Sequence, residues 1–365
     1  MENKLKVLIT ACSGPGAVGI IHSLRNHPKR EIHIVAGSVE DIENIGYELA
    51  DEKIQIPFSY DEKFIEKMIF ICKNKNIDLI IPAFSDEIEI LSKNIEDFNK
   101  NNIKILSPNS EIVSKVHNKN LMLRELKRAN TKYYPEFLEA NNITDLKNSC
   151  IKMGYPKRKI CIKPARCNGG SRGFYIISED YNRERTFFTE KNANICSLDE
   201  LLLKLKGVDT FPTILVMEYL EGKEFGVDLV ARQGKIVKHI IRERLNPTVA
   251  GMEMRAKIIE NTLIDETIKN IVKDLKLDSI LSVDLRFDKE NNKPYLLEVN
   301  PRQGAYIGFT SEKVNLLAMA IDLKFGDFKN KEDYFKENKN VIGVRYFGEF
   351  IISDDKRIFC GKRSK

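Results

Sequence analysis

The sequence predicts an α/β domain followed by an α+β region, and three observations carry that expectation. Up to about residue 108, short apolar runs alternate with helical patterns, the texture of a parallel sheet with helices on both faces. Beyond that point strand-like runs follow one another through hairpin-like connections, which implies antiparallel sheets. The chain has 365 residues, 42% hydrophobic and 31% charged, long enough for two or three domains with sizeable cores.

In the first region KVLITA, EIHIVAG, EKIQIP, DLIIPA and IKILSP read as strands, and Pro57, Pro82 and Pro108 each close one. Helical patterns fill Ala17 to Asn26, Asp61 to Lys75 and Asp86 to Asn99. The first connection, VLITACSGPGAVG, sets Gly14, Gly16 and Gly19 in G-x-G-x-x-G spacing. A dinucleotide site would also want an acidic residue ending the second strand, to hold a ribose hydroxyl. That strand ends in Ala36-Gly37-Ser38, and Glu40 and Asp41 arrive late. The glycine loop is therefore expected to serve an acceptor or carboxylate pocket, and not NAD.

From Ser110 one long helical pattern runs to about Ala129, with capping residues just before it. KICIKP, GFYIIS and ILVMEYL then read as strands, with an amphipathic helix near Leu198 to Leu205 between the last two. Glu179 to Asn194 is polar and reads as an exposed loop. FGVDLVA, KIVKHIIRERL, SILSVDLRFD and KPYLLEVN continue the antiparallel region, with a helical pattern near Leu263 to Leu275. NVIGVRYFGEFIIS is expected to form an edge hairpin. The domain boundaries that follow are 1–108, 109–340 (with a lid subdomain at about 135–220) and a C-terminal strand hairpin over 341–365.

Several function classes fall away on composition. The net charge of +6 is modest against 59 basic and 53 acidic residues, and the cations are scattered, so no nucleic-acid face is expected. No window approaches the roughly 18 apolar residues of a membrane span. Seven cysteines without Cys-x-x-Cys spacing point to reduced thiols, and five histidines form no metal-binding pattern. A short apolar run ending in glycines is not a signal peptide, so the expected location is the cytoplasm.

The most informative segment is SVDLRFDKENNKPYLLEVNPR, residues 282 to 302. Two strands joined by a turn at Lys289 to Pro294 carry Asp284 on one and Glu298 and Asn300 on the next. Alternation in an extended strand points Glu298, Asn300 and Arg302 the same way. Two carboxylates and an amide oxygen beside an arginine suit Mg²⁺ bound jointly with a polyphosphate. A half-exposed hairpin with ordinary surface polar residues is the plain alternative.

Here the sequence resembles the ATP-grasp family, nearest to its carbamoyl-phosphate-synthase-like branch and to small carboxylate–amine ligases. LEVNPR, with an acidic residue fourteen positions upstream of its glutamate, looks like the family's metal signature, and the likeness covers nearly the whole chain. It implies a Rossmann-like N-terminal domain ahead of an ATP-grasp fold of two α+β subdomains. ATP and Mg²⁺ are the implied cofactors, Mn²⁺ being able to substitute, with Asp284, Glu298 and Asn300 as metal ligands.

By the same resemblance, Lys163 in KICIKPARCNGGSRGFYII reaches the ATP phosphates, and Asn168 to Gly173 folds over them. Within that loop Gly169, Gly170, Ser171 and Gly173 are the implied phosphate contacts. Lys119 matches a phosphate-contacting lysine, although the family's usual Asp-Lys is here Asn118-Lys119. Met217, Glu218, Tyr219 and Leu220 look like the adenine linker, and Glu224 like the residue that holds the ribose. Met217 and Leu220 equally suit plain core. Arg242 and Arg244 share one face of a strand that in the family faces the γ-phosphate. Together with Arg302 and Lys163 they form the implied catalytic set, and Gln303 to Phe309 is expected to shape the substrate pocket.

The implied activity is ATP-dependent activation of a small carboxylate as an acyl phosphate, followed by attack of an amine. A synthase using bicarbonate and ammonia, or an inactive ATP-binding protein, stands as the alternative. The implied partners are small carboxylate and amine substrates, and a homodimer is left open.

Overall fold

The computed structural model describes residues 4–166, 173–181, 184, 194–249, 252–338, 340–346, 348–353 and 356–359. The first domain alternates as its texture predicts. It runs β1 (Lys4–Ile9), α1 (Ala17–Arg25), β2 (Glu31–Ser38), α2 (Ile45–Leu49), β3 (Glu52–Gln55), α3 (Phe64–Asn74) and β4 (Leu79–Ile81). Two short helices, α4 (Ser85–Lys93) and α5 (Ile95–Asn99), lead to β5 (Lys104–Ile105). All pairings are parallel, in the order β3-β2-β1-β4-β5. Alternation along β1 divides its side chains between two cores: Val7 and Ile9 enter one, Leu8 the other.

The expected long helix after Ser110 is two helices, α6 (Ser110–His117) and α7 (Lys119–Arg128). The break is at Asn118, whose extended backbone and side-chain oxygen cap α7 by accepting from the Asn120 and Leu121 amides. Next come β6 (Phe137–Asn142), α8 (Ile143–Lys152), β7 (Ile160–Pro164), β8 (Tyr175–Ile177), β9 (Ile195–Cys196), a helix at Leu198–Lys204 and β10 (Thr210–Glu218). They build a small mixed sheet, β6-β10-β7-β8-β9, over its own apolar cluster around Ile160, Ile177 and Val216. Its strands run from Phe137 to Glu218.

The large sheet is antiparallel, ordered β15-β14-β11-β12-β13-β16. Its strands are β11 (Glu224–Arg232), β12 (Lys235–Val249), β13 (Met252–Ile259), β14 (Ser279–Phe287), β15 (Pro294–Asn300) and β16 (Ile342–Val344). Helix Thr262–Asp274 packs on one face with α7, sharing a core with Val227, Leu229 and Leu281. On the other face lies helix Leu316–Phe325, which the sequence reading did not find. Apart from Lys324 and the buried Asp322 it is apolar, and it packs between the large sheet and the first domain, so it lacks the periodic polar face that marks a surface helix.

One expectation is corrected at the C-terminus. Residues 342–344 and 350–353 do not pair with each other. β16 adds to the edge of the large sheet beside β13, whereas β17 (Phe350–Ser353) pairs with β18 (Lys356–Phe359). Among the described residues no helix is long and apolar enough to cross a membrane. The five described cysteines, Cys12, Cys72, Cys150, Cys161 and Cys196, are buried free thiols.

Candidate active site

β14 and β15 pair so that Asp284 lies directly opposite Glu298, and Ser282 opposite Asn300. Like charges set across from each other on neighbouring strands repel unless cations stand near them. Two do. Arg244 Nη2 is 2.5 Å from Asp284 Oδ1, and Lys119 Nζ is 3.3 Å from Glu298 Oε2. Asn300 Nδ2 donates to Glu298 Oε1 at 3.4 Å. Burial pushes the Asp284 carboxyl up to about 6 against the pull of Arg244. For Glu298 burial acts the same way, but Lys119 and Lys163 outweigh it and hold that carboxyl below its usual range. The pair thus presents oxygens that a hard cation would favour in their charged form. Among the described residues no group of three or more His, Cys, Asp or Glu side chains makes a full metal cage. Two carboxylates and an amide suit a cation that takes most of its shell from phosphate oxygens and water.

Backbone stitching brings the two lysines here. Asn118 forms an antiparallel bridge with Arg166, and the Lys119 amide donates to Ala165 O at 2.8 Å. The start of α7 is therefore tied to the end of β7, which carries Lys163 opposite Leu215. Lys163 Nζ lies 5.4 Å over the Phe174 ring. Gly173, just before it, has φ +68°, and a Cβ there would meet Pro164 Cγ at 2.6 Å, so only glycine fits. The remaining implied loop contacts, Gly169, Gly170 and Ser171, lie outside the described residues.

Lys119, Arg244, Asp284, Glu298, Asn300 and Arg302 line a cleft of about 300 Å³ that also receives Ser85 and Asp86 from the first domain; Lys163 is not among its lining residues. Arg242 and Arg244 share a face, as alternation requires, while Glu243 turns the other way to Lys223 and Lys257. Arg242 is buried, with its Nε 3.0 Å from Asp228 Oδ2 and its Nη1 2.6 Å from Glu253 Oε2. Gly226 makes room for it, since a Cβ there would sit 2.5 Å from Arg242 Nη2. Arg244 reaches Glu224 at 3.0 Å as well as Asp284, joining the two clusters. Arg302 donates from Nη1 to Gln303 O at 3.1 Å, and its buried Nε has no partner among the described residues.

The linker residues form a separate group. Met217 and Leu220 are buried, at 2% and 3% exposure, and Met217 belongs to the core under the large sheet. Arg286 lies 5.7 Å over the Tyr219 ring and donates to Leu220 O at 3.1 Å. Glu224 is held by both Arg286 and Arg244. Glu218 accepts from the Glu136 amide, and burial raises its carboxyl. Residues 217–220 are not among those lining the cleft around Asp284.

The glycine loop has a different use from the one expected. A Cβ on Gly19 would lie 3.0 Å from Gly308 N, and one on Gly308 only 2.6 Å from Gly19 Cα. Two backbones meet there, α1 against the short helix Ile307–Thr310. Gly14, Gly16 and Gly19 do not line the cleft; the first domain contributes Ser85 and Asp86 instead. Sequence reasoning also missed Asp228, Glu253 and Arg345. Only the alternation of FGVDLVA, which turns Asp228 onto the face opposite Val227 and Leu229, could have signalled one of them.

Residues 7–106 match the family described as the PylC-like N-terminal domain. Residues 210–349 match the family described as ATP-grasp in the biosynthetic pathway with Ter operon. The chain carries an ATP-grasp domain behind a PylC-like N-terminal domain. It is 21% identical over 275 residues to the carbamoyl phosphate synthase large chain of Sulfurisphaera tokodaii, which covers 72% of this chain but only 24% of that one. A carbamoyl-phosphate synthase of Methanobrevibacter smithii is 22% identical over 334 residues, 86% of this chain and 81% of that one. Among solved structures, biotin carboxylase from Campylobacter jejuni superposes with a TM-score of 0.65 at 17% identity, covering 94% of this chain and 76% of that one. The L-amino acid ligase of Bacillus licheniformis gives 0.63 at 16% identity, covering 96% and 83%. At these identities the structures speak for the ATP-grasp fold.

Proposed function

We propose that the protein is an ATP- and Mg²⁺-dependent ligase. It activates a small carboxylate as an acyl phosphate, which an amine then attacks with loss of phosphate. The observation that carries this reading is the opposition of Asp284 and Glu298, with Asn300 beside them, against Lys119 and Arg302 at one cleft, with the Lys163 charge also acting on Glu298. The oxygen trio would hold Mg²⁺, which supplies charge neutralisation between phosphate oxygens. Lys119 and Lys163 bind and orient the triphosphate, and their fixed charges favour the charge that moves during phosphoryl transfer. Arg302, which has no carboxylate partner among the described residues, faces the acid to be phosphorylated. Arg242 is already neutralised by Asp228 and Glu253, so we assign it to the frame of the cleft; Arg244 positions Asp284. The nucleoside would lie along Met217 to Leu220, with Glu224 toward the ribose. A bicarbonate- and ammonia-using variant is favoured by the likeness to carbamoyl-phosphate synthases, and the choice of acid separates the two.

Replacing Glu298 with glutamine keeps the side chain's shape and removes one charge. Phosphate release from ATP, in the presence of an acceptor acid and amine, is expected to fall about a hundredfold or more. Melting should stay close to the parent, because the cross-strand repulsion with Asp284 is relieved. Near-normal turnover in a folded variant would defeat the assignment.

A further inference from the structure

Two guanidinium groups at the cleft, those of Arg302 and Arg345, have no ion-pair partner among the described residues. Both bracket the same turn. Arg302 donates to Gln303 O, and Arg345 donates from Nη2 to Ala305 O. Arg345 comes from the end of the large sheet's edge strand and is placed by three features. Its amide donates to Met254 O at 2.8 Å, continuing the β13–β16 pairing. Gly343, two residues earlier, lies against the Phe309 ring so closely that a Cβ would be 2.7 Å from Cδ2. Phe309 meets Tyr306 edge to face at 5.6 Å, and the Arg345 guanidinium stacks 4.1 Å above the Tyr306 ring. Tyr306 is itself fixed, its hydroxyl donating to Glu253 O at 2.9 Å.

Stacking orients a planar fork of donors, and among the described residues one of those donors is spent, on a neutral carbonyl. A guanidinium held this way beside a small cleft fits an anion that arrives from solution. Resting on the ligase reading, in which Arg302 faces the reacting carboxylate, we propose that Arg345 is a specificity-determining residue binding a second anionic group of the acid substrate. The substrate is then a small acid carrying two anionic groups, in place of bicarbonate or a simple monocarboxylate. A dicarboxylate and a phosphorylated acid share that chemistry.

The full-length chain is tested with Mg-ATP and an amine mixture, following phosphate release. The acids are bicarbonate, matched mono- and dicarboxylates of equal carbon number, and a phosphorylated monocarboxylate. The parent is expected to use one dianionic class with a KM about tenfold or more below its monoanionic match. Arg345→Gln should raise the dianion KM about tenfold, leaving kcat, the monoacid KM and ATP affinity within about twofold. Arg345→Lys should recover part of the loss. An equal loss for mono- and dianions, or a parent preference for bicarbonate or a monoacid, overturns the proposal. If no acid turns over, the ligase reading fails. Calorimetry of the same dianions on protein loaded with a non-hydrolysable ATP analogue then decides Arg345 separately, and binding that is absent, or unchanged in Arg345→Gln, overturns its role.

Discussion

Glu87 is 3% exposed at the start of α4 and accepts a hydrogen bond from Thr10 at the end of β1. Burial pushes its carboxyl from an ordinary 4.5 up to about 7, with the Thr10 bond only partly opposing. The folded protein therefore holds this proton more tightly than the unfolded chain does. The resulting stability is complete below about 4.5 and is lost as pH rises through about 7, an effect of roughly 3 kcal/mol. Glu87→Gln cannot titrate. Chemical denaturation at pH 5 and pH 8 is expected to show the parent losing stability relative to this variant, and equal losses would mean that Glu87 ionises freely. Asn118 shows why single residues were only partly readable. The family's usual residue there is aspartate, so asparagine reads as a small departure, yet the feature that matters locally is an oxygen that caps α7, and either residue supplies one. That Asp284, Glu298 and Asn300 lie together was legible because a hairpin fixes their register over short range. Arg345 was not, since its backbone partner lies on a strand brought beside it only by the finished sheet.

Elements with a periodic signature were read correctly: the five parallel strands, helix Thr262–Asp274, and the hairpin of β14 and β15. Elements without one escaped. Leu316–Phe325 has no polar face, and the C-terminal strands were assigned to each other because proximity in sequence says nothing of a distant sheet edge. The glycine spacing after β1 was legible as a need for close approach, but the approaching body is helix Ile307–Thr310, not a ligand. That difference is testable. Gly308→Ala forces a Cβ to 2.6 Å from Gly19 Cα, so α1 and the short helix must part, which is expected to cost about 1–3 kcal/mol. Gly16→Ala adds a Cβ at an ordinary 3.8 Å from Ala305 and should stay within about 0.5 kcal/mol of the parent. Thermal or urea denaturation that ranks the two variants the other way would contradict the packing.

One apolar core joins the two ends of the chain: Val7, Ile20 and Ile34 of the first domain pack with Leu316, Met319 and Ile321 and with Ile280 of the large sheet. Within it Asp322 is fully buried, accepting from Arg30 Nε at 2.6 Å and from the Tyr334 hydroxyl at 2.6 Å. Asp322→Ala leaves the largely buried Arg30 with Asp327 as its remaining acid, and a loss near 3 kcal/mol is expected. Calorimetry should record it as a downward shift of a transition shared by the parallel sheet and the large sheet. A variant whose first domain melts separately and earlier would mean that the shared core does not couple them. The same arrangement bears on synthesis. One face of the parallel sheet, complete in its strands by residue 105, is covered by a helix that ends at residue 325. While the intervening residues emerge from the ribosome, at about 5–20 residues per second, Val7, Ile9 and Ile34 have α1 against them but lack the helix Leu316–Phe325 and the large sheet that complete their cover. The growing chain must carry an open greasy surface for some ten seconds or more, which makes the nascent protein, rather than the finished one, the natural client of a holding chaperone.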